Sequence, residues 1–287
     1  MIVRQVETAV GIVEAAIVGD ESKPALLIIH GIPGSYRQAL PLAEDLVDDY
    51  HCILPSRPGY GRTPITTGRT GPQQAAAYAA LLDALDISQA AIVGISGGGL
   101  SAATFAAQYP ERCVSLVLMC ALAPHLHEVG RGMKVALRVP LLWEAAGAID
   151  RRRTRRKLES GVAEKELRAA LTPAELESLE EDPLMRDRVV GFARSHAEAP
   201  PPWVGFRNDA ANIFAAHRDG PADYRGITAP TLVLAGDADT VIGASQTDYW
   251  AAAIPGARHE IIEGGGHAFL LTRRLQTMPL LVKHLAG

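Results

Sequence analysis

Short runs of apolar residues recur along the chain, with no polar residues alternating inside them. Each run is rich in Val, Ile and Leu, which is typical of strands that are buried on both faces of a parallel sheet. The runs lie at residues 25–30, 51–55, 90–94, 115–120 and 231–236. The pattern therefore predicts a sheet built largely of buried, parallel strands.

The segments between these runs place apolar residues at the three- and four-residue spacing of helices. They span residues 36–50, 72–87 and 100–110. Strands that alternate with helices imply right-handed crossovers and an α/β fold, here a mostly parallel, doubly wound sheet flanked by helices. The first twenty residues indicate instead an antiparallel hairpin that leads into the sheet.

The alternation of strands and helices stops after residue 120. Residues 124–224 contain no comparable strand run and are helical and charge-rich in pattern, and the sheet pattern resumes at residue 231. We predict a core domain of residues 1–123 and 225–287, with residues 124–224 inserted between two core strands. The basic run "RRRTRRK" (151–157) is interpreted as a solvated helix face, with an anionic substrate or nucleic acid as the alternative.

The composition excludes several classes of protein. The chain has 287 residues, 48% hydrophobic and 21% charged, so it can bury a sizeable core. A net charge of −4 gives no electrostatic case for binding nucleic acid or an anionic membrane. The sequence shows neither a long uncharged apolar stretch nor a signal-peptide pattern. We expect a cytoplasmic protein that acts on a small molecule, and the sequence leaves a homodimer open. Its three cysteines are expected to be buried thiols of a reducing compartment.

A serine stands among glycines where the run at residues 90–94 ends. The segment from Gly94 to Gly98 reads G-x-S-x-G between a predicted strand and a predicted helix, the context that this motif requires. Small residues are needed because a Cβ atom at Gly94 or Gly98 would clash with nearby chain in so tight a turn. Ser96 is therefore a candidate nucleophile at the amide end of a helix. The alternative is a helix-capping serine in a Gly-rich turn.

A nucleophilic serine needs a base, and the base needs a carboxylate that fixes its tautomer. Among nine histidines, His267 is the candidate base, because it follows three glycines in a loop between the last predicted strand and the last helix. Asp237 and Asp239 both follow the strand at residues 231–236. Either carboxylate could be the third member, with a turn-forming role as the alternative.

Four segments together resemble the motifs of the α/β-hydrolase superfamily. "HGIPGS" (30–35) is similar to its oxyanion loop, "RPGYGRT" (57–63) to its Gly-rich turn and "GISGGG" (94–99) to its nucleophile elbow. "GDAD" followed by "GGGH" is similar to its acid and histidine loops, and the order Ser, acid, His is the order of this family. The resemblance covers nearly all of the chain outside the insertion. It favours Asp239 over Asp237, because the family's acid is the second Asp of a G-x-x-D pattern.

The resemblance implies a serine hydrolase that needs no metal or organic cofactor. Its oxyanion hole would consist of the backbone N–H groups of Ile32 and Gly97, with His30 bracing the loop, and residues 124–224 would form a lid. We predict carboxylesterase-like acyl transfer on an ester, lactone or thioester of a small, largely apolar molecule. Haloalkane dehalogenases and epoxide hydrolases of this fold use Asp as nucleophile, so Ser96 argues against both.

Two alternatives to ester hydrolysis stay open. One is C–C bond hydrolysis or perhydrolysis on the same three residues, and the other is a non-catalytic receptor or scaffold on this fold. Aromatic side chains of the insertion and the last helices are candidates for the substrate pocket, with packing of the lid onto the core as the alternative. The candidates are Trp143, Phe192, Trp203, Phe206, Phe214 and Phe269.

Overall fold

A computed structural model describes residues 1–124, 171–198, 203–219 and 222–287, and its centre is an eight-stranded sheet. The strands are β1 (Ile2–Thr8), β2 (Gly11–Val18), β3 (Ala25–Ile29), β4 (His51–Pro55), β5 (Ala90–Ile95), β6 (Cys113–Met119), β7 (Thr231–Gly236) and β8 (Arg258–Ile262). Their order is β1-β2-β4-β3-β5-β6-β7-β8. Strand β2 pairs antiparallel with β1 and β4, and the remaining neighbours are parallel. The predicted hairpin and the predicted α/β sheet are both confirmed.

The central strands are buried from end to end. Every residue of β4, β5 and β7 is buried, and β3 is buried except for its first residue. Helices cover both faces of the sheet, so a side chain on either face meets an apolar layer. This explains why these strands read as continuous apolar runs rather than as alternating ones.

Helices form a layer on each face of the sheet. They are α1 (Leu40–Leu46), α2 (Gly71–Ala84), α3 (Gly98–Gln108), α4 (Pro173–Glu181), α5 (Pro183–Glu198), α6 (Trp203–Asp219), α7 (Ala244–Ala253), α8 (Phe269–Thr272) and α9 (Arg274–Leu285). One apolar layer contains Tyr78 of α2, Phe105 of α3 and Trp250 of α7. The opposite layer contains Leu42 of α1 and Leu281 of α9. The sheet is therefore doubly wound, as the sequence predicts.

The strand register brings several loops to one edge of the sheet. Ile29 at the end of β3 pairs with Gly94, and Ile95 at the end of β5 pairs with Met119. Met119 in turn pairs with Leu234 of β7. The loops that follow β3, β5, β6 and β7 consequently start at the same level, at the carboxyl edge where ligands of open α/β sheets bind.

The helix predicted over residues 36–50 is shorter in the structure. A 3-10 turn spans Tyr36–Gln38, and α1 begins at Leu40 and ends at Leu46. Pro41 lies in the first turn of α1, where its missing N–H leaves no hydrogen bond unmade. Two acids, Asp48 and Asp49, follow Leu46, and negative charge is unfavourable at the carboxyl end of a helix.

The described part of the insertion is helical. Helices α4, α5 and α6 lie in sequence between β6 and β7, which are neighbours in the sheet. The predicted boundaries of the insertion stay a prediction, and the basic run 151–157 lies outside the described residues. In the part of the chain that the structure describes, every helix is too short or too polar to cross a membrane.

The cysteine thiols are buried and free, as predicted. Burial raises the pKa of Cys52 and of Cys113 to about 12, so both thiols are protonated at neutral pH. A protonated thiol is a weak nucleophile, and these two side chains act as small apolar residues of the core.

Candidate active site

The turn between β5 and α3 holds Ser96 in a strained backbone conformation. Its φ is 51°, in the left-handed region that non-glycine residues rarely adopt. The Ser96 N–H donates to the carbonyl oxygen of Met119 at 2.8 Å, and its own carbonyl accepts from the N–H of Leu122 at 3.1 Å. These bonds to the chain after β6 hold the turn. The side chain stands at the carboxyl edge of the sheet, just before the amide end of α3.

The glycines around Ser96 are needed for close packing. A Cβ atom at Gly94 would lie 2.6 Å from the Cβ of Ala102. At Gly98 it would lie 2.5 Å from the backbone oxygen of His30 and 2.6 Å from that of Ile29. Helix α3 therefore approaches β3 and β5 too closely for any side chain, as predicted for these two positions.

We expect Gly98→Ala to destabilise the protein by about 3 kcal/mol, the upper part of the range for overpacking, because the atoms it meets are backbone atoms. Gly226→Ala is the matched control, since a Cβ atom there has nothing within 4 Å. Urea unfolding followed by circular dichroism measures both free energies of unfolding. Equal stabilities for the two variants would contradict the packing described here.

Three predicted residues from distant parts of the chain come into contact. The Nδ1 atom of His267 lies 2.8 Å from Oδ2 of Asp239, and its Nε2 atom lies 3.2 Å from Oγ of Ser96. A carboxylate only accepts hydrogen bonds, so Nδ1–H donates to Asp239 and Nε2 is left to accept the Ser96 hydroxyl proton. The Asp239 side chain is 1% exposed and that of His267 is 31% exposed. The imidazole therefore has a buried anion on one side and an accessible hydroxyl on the other.

The loop after β7 explains which of the two aspartates meets His267. Asp239 is buried, and its Oδ1 atom accepts from the N–H groups of Val241 and Ile242 at 2.8 Å each. These bonds leave Oδ2 to face the imidazole. Asp237, two residues earlier, is exposed. The structure thus brings Asp239, rather than Asp237, into the cluster.

The loop after β3 lies directly over the turn that holds Ser96. A Cβ atom at Gly97 would fall 2.2 Å from the Cγ1 and Cδ1 atoms of Ile32. A Cβ atom at Gly31 would fall 3.0 Å from the Cβ of Ser96. Among the described residues, no protein acceptor bonds to the N–H of Ile32 or of Gly97. Both predicted oxyanion donors are therefore left without an acceptor by the described residues.

His30 is fully buried, and both of its ring nitrogens are engaged. Nε2 accepts from the N–H of Arg57 at 2.9 Å, so Nδ1 carries the proton and donates to the carbonyl of Gly31 at 2.8 Å. The ring also packs edge-on against Tyr60 at 5.1 Å. These contacts agree with the predicted bracing role of His30.

A cavity of about 30 Å³ lies beside Gly97, with room for one or two water molecules or a short alkyl group. Its lining joins apolar and polar side chains from the core and from α6. The lining residues are Ile32, Arg57, Gly71, Gln74, Gly97, Leu100, Ser101, Asp209, Asn212 and Ile213.

Four of the six aromatic pocket candidates have described side chains, and none of these four lines that cavity. Phe269 is fully buried in the core layer that also contains Leu281, and Phe192 packs against the same layer. Trp203 and Phe206 pack edge-on against each other at 5.8 Å. Trp143 lies outside the described residues, as does the side chain of Phe214. The positions of Phe192 and Phe269 favour the packing alternative, and a pocket role for these aromatic residues stays a prediction.

Sequence reasoning missed a buried charged cluster at the rim of the cavity. Arg57 donates from Nη2 to Oδ1 of Asp209 at 2.6 Å, and the Tyr60 hydroxyl donates to Oδ2 at 2.5 Å. Burial raises the pKa of the Asp209 carboxyl, and the Arg57 guanidinium opposes that shift. The sequence did contain a signal for Asp209. In α6 it lies four residues from Gly205 and four from Ile213, the spacing of one helix face, and all three residues are buried.

The thiol of Cys120 lies beside the Asp239–His267 pair. Its sulfur and one ligand atom of each partner lie within 4.8 Å of one another. Burial raises the pKa of Cys120, and the nearby Asp239 carboxylate raises it further. The thiolate, not the thiol, is the metal ligand, so this trio is a poor metal site at neutral pH.

Comparison with known proteins agrees with the fold. Residues 24–273 match a family described as alpha/beta hydrolase fold. Poly(3-hydroxyalkanoate) depolymerase of Ectopseudomonas oleovorans is 32% identical over 263 residues, which cover 91% of this chain and 83% of that protein. An alpha/beta hydrolase fold protein from Nakamurella multipartita superimposes with a TM-score of 0.81 at 28% identity, covering both chains completely.

A 2-hydroxy-6-oxononadienedioate/2-hydroxy-6-oxononatrienedioate hydrolase of Burkholderia vietnamiensis (strain G4 / LMG 22486) is 44% identical, but over only 72 residues, 24% of this chain and 25% of that protein. The relatives thus include different hydrolases, and together they support hydrolase activity. The segment that matches the family, residues 24–273, runs from just before β3 to the start of the last helix. The chain belongs to the alpha/beta hydrolase fold family.

Proposed function

We propose that the protein is a serine hydrolase that cleaves a carboxylic ester of a small, largely apolar molecule through an acyl-enzyme. The observation that carries the proposal is the continuous contact from Ser96 Oγ through His267 to the buried Asp239 carboxylate. It lies at the carboxyl edge of the sheet, beside two backbone N–H groups that make no hydrogen bond within the described part of the chain. This combination supplies a nucleophile, a base, an orienting anion and an oxyanion site.

The first half of the proposed reaction forms the acyl-enzyme. His267 Nε2 accepts the hydroxyl proton of Ser96 while Oγ attacks the ester carbonyl carbon. Asp239 stabilises the imidazolium that results and keeps its Nδ1–H in place. The tetrahedral intermediate collapses, the carbonyl re-forms, and the leaving alkoxide takes the proton from Nε2. The alcohol departs and the acyl group remains on Oγ.

Water reverses these steps in the second half. His267 Nε2 takes a proton from a water molecule, whose oxygen attacks the acyl carbonyl, and then returns the proton to Ser96 Oγ. The carboxylic acid leaves and the hydroxyl is regenerated. In both halves, the N–H groups of Ile32 and Gly97 would hold the negative oxygen. Each such donor is worth about 3 kcal/mol in the transition state.

The comparisons favour an ester over a C–C bond as the scissile bond. One relative that matches along most of its length is named as a depolymerase of a poly(3-hydroxyalkanoate), whose units are joined by ester bonds. The similarity to the C–C hydrolase covers a quarter of that protein. C–C bond hydrolysis is therefore the second candidate.

A panel of p-nitrophenyl esters tests the proposal. We expect turnover of the acetate and butyrate esters, since the proposed substrate is a small molecule, and the palmitate ester reports whether the site also accepts a long acyl chain. Two further assays are run in parallel. One uses a vinylogous diketone with a scissile C–C bond, and the other uses acetate with peroxide. Faster turnover of either than of every ester would replace ester hydrolysis with that activity.

Labelling with a fluorophosphonate separates the enzyme from a non-catalytic receptor. We expect one probe per chain, found by peptide mass spectrometry on the peptide that contains Ser96. A folded protein that neither reacts with the probe nor turns over any substrate of the panel would support the receptor or scaffold alternative.

A further inference from the structure

Helix α6 of the insertion docks tightly onto the loop that follows β4. The N–H of Gly205 donates to the carbonyl of Gly59 at 3.1 Å, and Asn208 Nδ2 donates to the carbonyl of Arg69 at 2.7 Å. A Cβ atom at Gly205 would fall 2.5 Å from the Tyr60 ring, so the helix backbone lies against that ring. Only a glycine fits at the point where α6 meets the Tyr60 ring, so the helix can dock in this way only with Gly205 at that point.

A buried ion pair forms the centre of this docking. The side chains of Arg57 and Asp209 are 3% and 4% exposed, and their closest atoms are 2.6 Å apart. The Tyr60 hydroxyl donates to the second carboxylate oxygen, and its ring lies 5.5 Å from the guanidinium carbon. Two charges this deeply buried are tolerated only as a pair, so Asp209 compensates the charge of Arg57, whose Nη2 atom also donates to Oε1 of Gln74 at 3.4 Å.

Arg57 in turn holds the loop that carries Ile32. Its backbone N–H donates to His30 Nε2, which commits Nδ1–H of that ring to the Gly31 carbonyl at 2.8 Å; this bond does not involve the guanidinium. Its Nη1 atom also lies 3.5 Å from the same carbonyl oxygen, a second and weaker contact. Two donors thus converge on the carbonyl of Gly31.

The Gly31 carbonyl and the Ile32 N–H belong to one peptide group. In a planar trans peptide the C=O and N–H bonds point to opposite sides, so fixing one fixes the other. Holding the Gly31 oxygen toward His30 and Arg57 therefore turns the Ile32 N–H the other way. Gly31 itself contacts Ser96, with its Cβ position 3.0 Å from the serine Cβ.

We propose that Asp209 is a positioning residue of the oxyanion hole, acting through Arg57 and the Gly31–Ile32 peptide group. The inserted helix α6 then completes the catalytic geometry in addition to covering part of the site. This inference rests on the proposed serine hydrolase function, in which the Ile32 N–H binds the developing oxyanion.

The test compares D209N with N208A in ester hydrolysis. Both change α6 at its contact with the loop after β4, but Asn208 contacts the Arg69 carbonyl and not Arg57. We expect D209N to lower kcat about 10- to 100-fold with KM within about threefold, somewhat less than the loss of one oxyanion donor. N208A should keep kcat within about twofold of the wild type, since surface contacts of this kind have small effects.

The double variant R57M/D209L separates positioning from mere stability. It removes both buried charges, so thermal stability should return toward that of the wild type, whereas the Gly31 carbonyl still lacks Arg57 and kcat should stay low. It also carries the test if D209N does not fold. In the folded variants, Ki for a trifluoromethyl ketone, whose Ser adduct carries an oxyanion, should rise in parallel with the loss in kcat/KM.

Recovery of wild-type kcat in the stable double variant, or an unchanged Ki in a slowed variant, would overturn the positioning role. Fluorophosphonate labelling of Ser96 in the wild type keeps the two proposals distinguishable. If the wild type is labelled and hydrolyses esters while D209N is fully active, the hydrolase proposal stands and the positioning role is wrong.

Discussion

Ser96→Ala should lower kcat for a p-nitrophenyl ester by about 10⁵- to 10⁶-fold, since the nucleophile, base and acid of such a triad act as one unit. The proposed mechanism forms its covalent intermediate on Ser96 Oγ, and the described contacts give His267 Nε2 no other hydroxyl to activate. KM should change little, because the alanine leaves the cavity and both oxyanion N–H groups in place. Steady-state kinetics and the loss of fluorophosphonate labelling measure the effect.

Ser115→Ala is the matched control for that variant. Ser115 lies on β6, next to the strand that precedes Ser96, and its buried hydroxyl has no hydrogen-bond partner among the residues that the structure describes. Removing it should leave kcat within about twofold and stability unchanged or slightly higher. If the Ser96 variant kept more than a few per cent of wild-type kcat while the control behaved normally, the nucleophile would have to be another residue.

The sequence predicts the elements of this site well because each carries its signal locally. Ser96 stands in a glycine pattern that only a tight strand-to-helix turn requires, and the structure shows the positive φ and the close backbone contacts behind it. His267 likewise follows three glycines at the end of a strand. The sheet is predictable for the same reason, since burial on both faces leaves unbroken apolar runs.

Other features depend on contacts that local patterns do not contain. Periodicity extends the helix over residues 36–50, but Pro41 and the acids after Leu46 confine α1 to seven residues. The Arg57–Asp209 pair joins residues 152 positions apart, and neither residue stands in a pattern that names its partner. Only the three-dimensional structure reveals that a carboxylate on the insertion reaches the loop that carries Ile32.

The choice between Asp237 and Asp239 is only partly predictable from the local sequence. Both follow the same strand two residues apart, and spacing alone does not separate them. The structure separates them by burial and by the two N–H groups that orient Asp239. The same N–H groups also determine how the side chain of Asp239→Asn would be oriented.

Asp239→Asn should lower kcat by about 10⁴-fold, the effect of losing tautomer control in a triad of this type. The N–H groups of Val241 and Ile242 need an acceptor, so they hold the amide oxygen of the new side chain where Oδ1 was. Its NH₂ group must then face His267 Nδ1 and donate to it. The proton of the imidazole moves to Nε2, which can no longer accept the proton of Ser96.

Asp237→Asn is the matched control, because it makes the same chemical change two residues away on an exposed side chain. We expect its kcat and KM to stay within about twofold of the wild type, as for most surface substitutions. Both proteins should fold, since asparagine has the shape of aspartate and the turn keeps its backbone bonds. The reverse outcome, an inactive Asp237 variant beside an active Asp239 variant, would assign the orienting acid to Asp237. Because both variants lose one carboxylate charge from the same loop, their kcat ratio measures the cost of replacing the Asp239 carboxylate at its contact with His267.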